Sequence, residues 1–286
     1  VLIPLALATS LLWGLADFGG GLLSRRLPAM TVVVVSQTLA ALALGVVVVA
    51  TQAWTEAGPR LWFAVAAGLV GPAALLCFYR ALALGPMGVV SPLAATAAAV
   101  PVGVALVMGE RPGVVQAGGI VVAFAGVLLA GGFEAGGEPL RRQALVLSLA
   151  SAAGIGAVLT LIAEASVNVT GLFLALFVQR LCNVLAGGAW LLVSARRGGG
   201  ILPGGPHALV PSLPALAFVG LADVAANGTY ALAARIGPVT VAVVLASLYP
   251  VVTALTARGV LRERLRRAQA AGAGLAMAGT LLLASG

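Results

Sequence analysis

Seven ionisable side chains stand inside long apolar stretches of this 286-residue chain: Asp17, Arg80, Glu164, Arg180, Asp223, Arg235 and Arg258. A charge held within a hydrocarbon-spanning helix costs several kcal/mol, so it faces a cavity or a partner of opposite sign. Arg180 and Asp223 fall near the middle of neighbouring stretches, and two chemistries suit them. They pair with each other, or Arg180 anchors an anionic substrate group while Asp223 carries a proton, which burial favours by disfavouring the charged carboxylate. Arg235 and Arg258 lie close to the ends of their stretches, where long side chains snorkel to the interface. A second set is neutral: Trp13, Tyr79, Ser91, Thr96, Asn227, Tyr230, Ser247 and Tyr249. Asp223, Asn227 and Tyr230, spaced by four and three, share one helix face. Lipid offers such a stripe nothing to bond with, so it is expected to line a cavity opposite Trp13 and Asp17.

Other chemistries lack their parts. The single histidine, His207, has no partner set for a metal site or a triad. Gly198–Gly200 is not followed by the Lys-Ser/Thr end of a nucleotide-binding loop. Cys77 and Cys182 both lie in apolar runs, away from disulfide or metal contexts. No cofactor or metal is expected. An intramembrane hydrolase would have only Asp17 and Asp223 to work with.

The elements that position these groups follow from composition. The chain is 61% hydrophobic and 8% charged, with a mean hydropathy of +1.13, whereas soluble domains are about 25% charged. A water-soluble globule is excluded. All basic residues are arginine and the net charge is +8, but these arginines mark the ends of apolar runs instead of forming a basic face, so no nucleic-acid partner is expected. Stretches of about 20 apolar residues suit membrane helices. Ten such spans cover 1–23, 29–50, 61–84, 86–108, 114–133, 144–165, 169–194, 212–234, 238–261 and 268–286. The first is too long for a removable signal segment and is followed, not preceded, by its arginines, Arg25 and Arg26. Pro72, Pro92, Pro101 and Pro250 lie within spans and are expected to kink them.

The two halves, 1–133 and 144–286, repeat one another. Gly68 and Gly85-Pro86 answer Gly220 and Gly237-Pro238, Glu110-Arg111 answers Glu263-Arg264, and Gln116, Gly119 and Gly126 answer Gln269, Gly272 and Gly279. Gln37 answers Gln179 in the second and seventh spans. Five helices per copy is an odd number, so the second copy enters from the opposite side. The expected fold is therefore an all-α polytopic membrane protein with ten transmembrane helices in two inverted five-helix repeats, a construction used for alternating access around a midplane site. Side A denotes the face where the first helix begins and side B the other. By this count Asp17 and Arg80 lie near side B, and Glu164 and Arg235 near side A; the two pairs are expected to act as opposing gates. The Gly-rich helices 114–133 and 268–286 read as packing elements.

Two five-helix repeats, each with a Gly turn after the third helix, a Glu-Arg turn after the fourth and a Gly-rich last helix, resemble the EamA domains of the drug/metabolite transporter superfamily. Trp13-Gly14 and Tyr79 fit its first-repeat pattern, and the resemblance covers essentially the whole chain. It implies a secondary transporter, not an enzyme, exporting small metabolites, amino acids or drug-like compounds from a bacterial plasma (inner) membrane. Partners would be that substrate, the bilayer and protons, with the chain acting as a monomer. It also implies that helices one, three, four, eight and nine line the central cavity, which makes Trp13, Asp17, Tyr79, Ser91, Asn227, Tyr230, Ser247 and Tyr249 the expected substrate-binding residues. The chain departs from the pattern in carrying Gln37 where the family has an Arg, with Arg180 near that place in the second repeat. An uncoupled channel-like facilitator or lipid scramblase is the alternative. Side-B loops carry more arginine than side-A loops, which places side B in the cytoplasm by the positive-inside rule; the family resemblance implies the opposite orientation.

Overall fold

The computed structural model describes residues 1–100, 104, 113–130, 142–166, 168–198, 205, 207, 209–236, 239–263, 265 and 267–285. Among these, every regular element is helical: α1 (Leu2–Leu23), α2 (Ala29–Thr51), α3 (Leu61–Leu84), α4 (Met87–Ala95), α5 (Val114–Ala130), α6 (Arg142–Ala165), α7 (Val169–Arg196), α8 (Leu213–Ile236), α9 (Val239–Ala246), α10 (Tyr249–Leu261) and α11 (Arg267–Ser285), with short 3-10 turns between some of them. Seven stretches are long and apolar enough to cross a membrane: α1, α2, α3, α6, α7, the segment Val210–Ile236 and the segment Val244–Leu261; α5 holds a shorter apolar segment, Ala117–Gly126. The expected ninth span is divided into α9 and α10 at Ser247-Leu248. Pro250 is the cause, because its ring nitrogen cannot donate to the Ala246 carbonyl one turn back. Pro101, Glu110-Arg111, Gly237-Pro238 and Arg264 lie outside the described residues.

Burial runs opposite to that of a soluble protein. Alanine dominates the interior, with Ala6, Ala64, Ala67 and Ala226 fully buried, while Val46, Leu185 and Leu255 stand exposed on the outside. Hydrocarbon solvates large apolar side chains as well as a protein core does, so small residues go where helices meet. Five contacts organise the bundle: α1 on α8, α3 on α6, α2 on α7, α3 on α7 and α2 on α8; α5 and α11 form a further tightly packed pair. α2 and α7 run antiparallel. Near one end Gly45 packs on the Phe177 ring, at the middle Asn183 donates to Gln37 at 3.2 Å, and Gly187 meets Val34 towards the other end. α5 and α11 are antiparallel as well. A methyl group on Gly119 would lie 3.0 Å from the Gly279 carbonyl oxygen, and one on Gly126 would lie 2.8 Å from that of Gly272.

The two faces of the bundle are packed differently. At side B one large buried cluster joins Phe18 and Leu27, the start of α2, Phe78 and Leu82 of α3, Met87 and Val90 of α4, Leu216 and Ala257. At side A the packing is divided among small clusters, such as Ala6 with Ala233 and Ala242, and Ala64 with Ala165 and Ala175. The start of α7 is held there by Asn168, whose Oδ1 accepts from the Gly171 amide at 2.6 Å while its Nδ2 donates to Glu56 at 2.9 Å. A side-chain acceptor at this position satisfies one of the free amides that open every helix.

Candidate functional site

α1 is set between α8 and α10 by residues that let backbones approach. Gly14 lies so close to α10 that a methyl group there would meet the Tyr249 carbonyl at 2.7 Å, and Thr253 Oγ1 donates to the Gly14 carbonyl at 3.0 Å. Thr9 and Thr229 share a hydrogen bond of 2.8 Å from α1 to α8. These contacts bring Trp13, one residue from Gly14, between Tyr230 and Tyr249, each with its ring centroid 6.1 Å from the indole.

The aromatic group forms part of the wall of a cavity of about 550 Å³. Trp13 and Asp17 come from α1, and Gly71, Ala74, Leu75 and Phe78 from α3. α6 supplies an apolar stripe of Ile155, Val158, Leu159 and Ile162. Leu172, Leu176, Gln179 and Arg180 come from α7, Asp223, Asn227 and Tyr230 from α8, and Tyr249 from α10. The walls run from Asp17 and Phe78 towards Ser166 at the α6–α7 turn on side A. The large side-B cluster, which includes Phe78 itself, fills the other end.

Charge inside the cavity is unevenly spent. Arg180 Nη2 donates to Asp223 Oδ2 at 2.6 Å, the Trp13 indole donates to Asp223 Oδ1 at 3.2 Å, and Asn227 Nδ2 donates to the Asp223 carbonyl at 2.7 Å. Asp223 is therefore held by three residues. Asp17 makes no hydrogen bond or ion pair with any described residue, although Asp223, Tyr79 and Tyr249 stand within electrostatic range of it. Gln179 Oε1, Arg180 Nε and Asn183 Oδ1 are buried without a hydrogen-bond partner among the described residues.

The structure thus brings Trp13, Asp17, Arg180, Asp223, Asn227, Tyr230 and Tyr249 to one cavity. Three residues expected there lie elsewhere. Tyr79 is buried in the side-B cluster with its ring against Gly20 of α1, because Phe78, Leu75 and Gly71 share the cavity face of α3 and Tyr79 is rotated off it. Ser91 is fully buried on α4, which contributes no residue to the wall, and Ser247 sits in the break between α9 and α10. The two expected gate pairs are not formed. Arg80, Glu164 and Arg235 are all exposed and make no ion pair among the described residues, since each lies on an outward-facing position near a helix end. Arg258 is exposed as well. A clasp that the sequence reading missed stands at side B instead: Arg25 pairs with Glu263 at 3.1 Å, and Glu263 accepts from the Gly88 amide, at the start of α4, at 3.3 Å. Its signal was the repeated Glu-Arg turn. The apolar α6 wall carried no signal, because a leucine suits lipid and a cavity wall equally well.

The EamA-like transporter family model matches the chain twice, over residues 2–132 and 142–285, and the chain belongs to that family. It is accordingly an integral membrane transporter of the drug/metabolite transporter superfamily, a family of transporters and not of enzymes, with a small-molecule substrate and the bilayer as its surroundings. No match is found among curated proteins.

Proposed function

We propose that this protein is a ten-helix secondary transporter of two inverted repeats, 1–133 and 144–286, moving small metabolites, amino acids or drug-like compounds by alternating access. The observation that carries the reading is a cavity between the halves, extending towards side A and blocked towards side B. The helix pairings support the inverted repeat. Exchanging the halves converts the α1–α8 contact into α6–α3 and α2–α8 into α7–α3, and it maps the antiparallel pairs α2–α7 and α5–α11 onto themselves. An axis of two-fold symmetry passing between equivalent helices accounts for this. Asp17, the acid with no partner among the described residues, takes the coupling-proton role in place of Asp223, which is spent on Arg180. Export from a bacterial inner membrane by a monomer follows the family resemblance.

In this reading the Arg25–Glu263 clasp and the cluster beneath it form the side-B gate. A partly exposed ion pair is worth about 0–1 kcal/mol, so removing it shifts a two-state equilibrium by up to about fivefold. In a protein with Cys77 and Cys182 replaced by alanine, Glu263→Ala should raise the labelling rate of Met87→Cys by a membrane-impermeant maleimide from side B. It should lower the rate of Leu172→Cys from side A, so that the ratio of the two rates rises by up to about fivefold. A rise at Met87 with no fall at Leu172 would mean both ends open together, as in a channel. The proton role predicts a second separation in proteoliposomes: Asp17→Asn should lose accumulation driven by a pH gradient, because an amide carries no titrating proton. Undiminished gradient-driven accumulation by that variant would remove Asp17 from the coupling step.

A further inference from the structure

We infer that the cavity selects a monocation: an amphipathic organic amine whose ammonium group sits between the Asp17 carboxylate and the rings of Trp13, Tyr230 and Tyr249. This rests on the transporter reading for what the site is used for, and adds what it takes. Among the described residues three ionisable side chains line the cavity, and two of them, Arg180 and Asp223, cancel at 2.6 Å. Asp17 is left over, a carboxyl group with which an ammonium can pair. Arg180 is already engaged: its Nη2 is bound to Asp223, and its Nε is buried without a hydrogen-bond partner among the described residues. A carboxylate or phosphate entering here would meet Asp17 with no counter-charge of its own, a like-charge contact in a medium that screens poorly.

The aromatic arrangement points the same way. Trp13 stands one helical turn from Asp17 on the same face of α1, with Tyr249 at 75° to the indole and Tyr230 at 36°. Electron-rich ring faces around a carboxylate attract a cation from several directions, most strongly where water is displaced. The α6 stripe of Ile155, Leu159 and Ile162 has no polar group to bind and suits an apolar body. An ammonium at one end and hydrocarbon at the other match this wall.

The test is a panel of four compounds that share one phenyl ring, titrated calorimetrically into the full-length protein in detergent micelles: phenethylamine, phenylalanine, 3-phenylpropionate and N-acetylphenethylamine. Phenethylamine should bind saturably, and roughly tenfold or more tighter than each of the others, the size of a desolvated cation–π contact with an ion pair. Partition into the micelle favours the neutral acetyl compound, so a preference for the amine cannot arise from the detergent. Asp17→Asn should weaken amine binding by about tenfold and leave the neutral compound unaffected. Absence of amine binding, or equal or tighter binding of the zwitterion, the anion or the neutral analogue, overturns the inference; the unmodified protein decides this even where Asp17→Asn does not fold. Amine binding without amine movement in proteoliposomes would leave the cation site standing and defeat the transporter reading. Movement of another solute by a protein indifferent to amines would do the reverse.

Discussion

Asp223→Asn should destabilise the protein by about 3–5 kcal/mol, the cost of leaving one member of a buried ion pair without its partner. Asp223 is the hydrogen-bonding partner of Arg180 among the described residues, and Arg180 is 8% exposed. Neutralising the carboxylate strands a guanidinium inside the bundle. The reverse change, Arg180→Gln, should cost less, because the Trp13 indole and the Asn227 amide still donate to Asp223. The double variant Arg180→Gln with Asp223→Asn should recover most of the loss, since it removes both charges together. Reversible unfolding in mixed micelles measures all three. A double variant no more stable than Asp223→Asn alone would show that the two charges do not compensate one another. Transport should fall in Asp223→Asn and in the double variant, because Trp13 is oriented through that carboxylate.

Gly220→Val and Gly68→Val should each cost about 1–3 kcal/mol, the usual penalty for overpacking a closed interface. These two glycines are equivalents in the sequence repeat, and they do the same work in opposite halves. A methyl group on Gly220 of α8 would run into the Ser36 carbonyl of α2, and one on Gly68 of α3 would meet the Gln179 carbonyl of α7 at 2.6 Å. A backbone oxygen cannot turn aside as a side chain does, so the helices must separate. Gly68→Val should in addition lower transport more than Gly220→Val, because it displaces the turn of α7 that carries Gln179 and Arg180 into the cavity wall. Gly188 is the control. It lies within α7 with open space beyond its Cα, and Gly188→Ala should be neutral or stabilise by up to about 1 kcal/mol through helix propensity. Thermal unfolding of the three variants in one detergent checks the ranking; equal losses at Gly188 and Gly220 would dismiss close helix approach as the cause.

Much of the architecture was legible because membrane helices announce themselves by length. Runs of apolar residues ended by Arg25-Arg26, Gly85-Pro86 and Arg196-Arg197 become α1, α3 and α7 with boundaries within a few residues of those read from the chain. The Asp223, Asn227 and Tyr230 stripe was legible too, since polar groups at helical spacing have one face they can occupy in hydrocarbon. The gate pairs were not. Asp17 and Arg80 share a depth, but depth does not say which way a helix is turned, and Arg80 points outwards while Arg25 reaches Glu263 across the bundle. Tyr79 is set off the cavity wall in the same way: one residue of rotation, about 100°, separates it from Phe78 on that wall.

What the sequence determined by itself is the set of apolar spans, the repeat of glycines and Glu-Arg turns, and the residue types able to do chemistry among them. Those follow from solvation along a single helix, which depends on local composition alone. The tertiary structure decided which charge is spent and which is free. Arg180 cancels Asp223 because Gly68 and Gly14 let α3, α7, α10 and α1 close to backbone distance, and Asp17 is left without an ion-pair partner because no cationic side chain among the described residues is turned towards it. In an apolar helix every face is equally soluble in lipid, so the choice of face is made by neighbouring helices and is not written in any one of them.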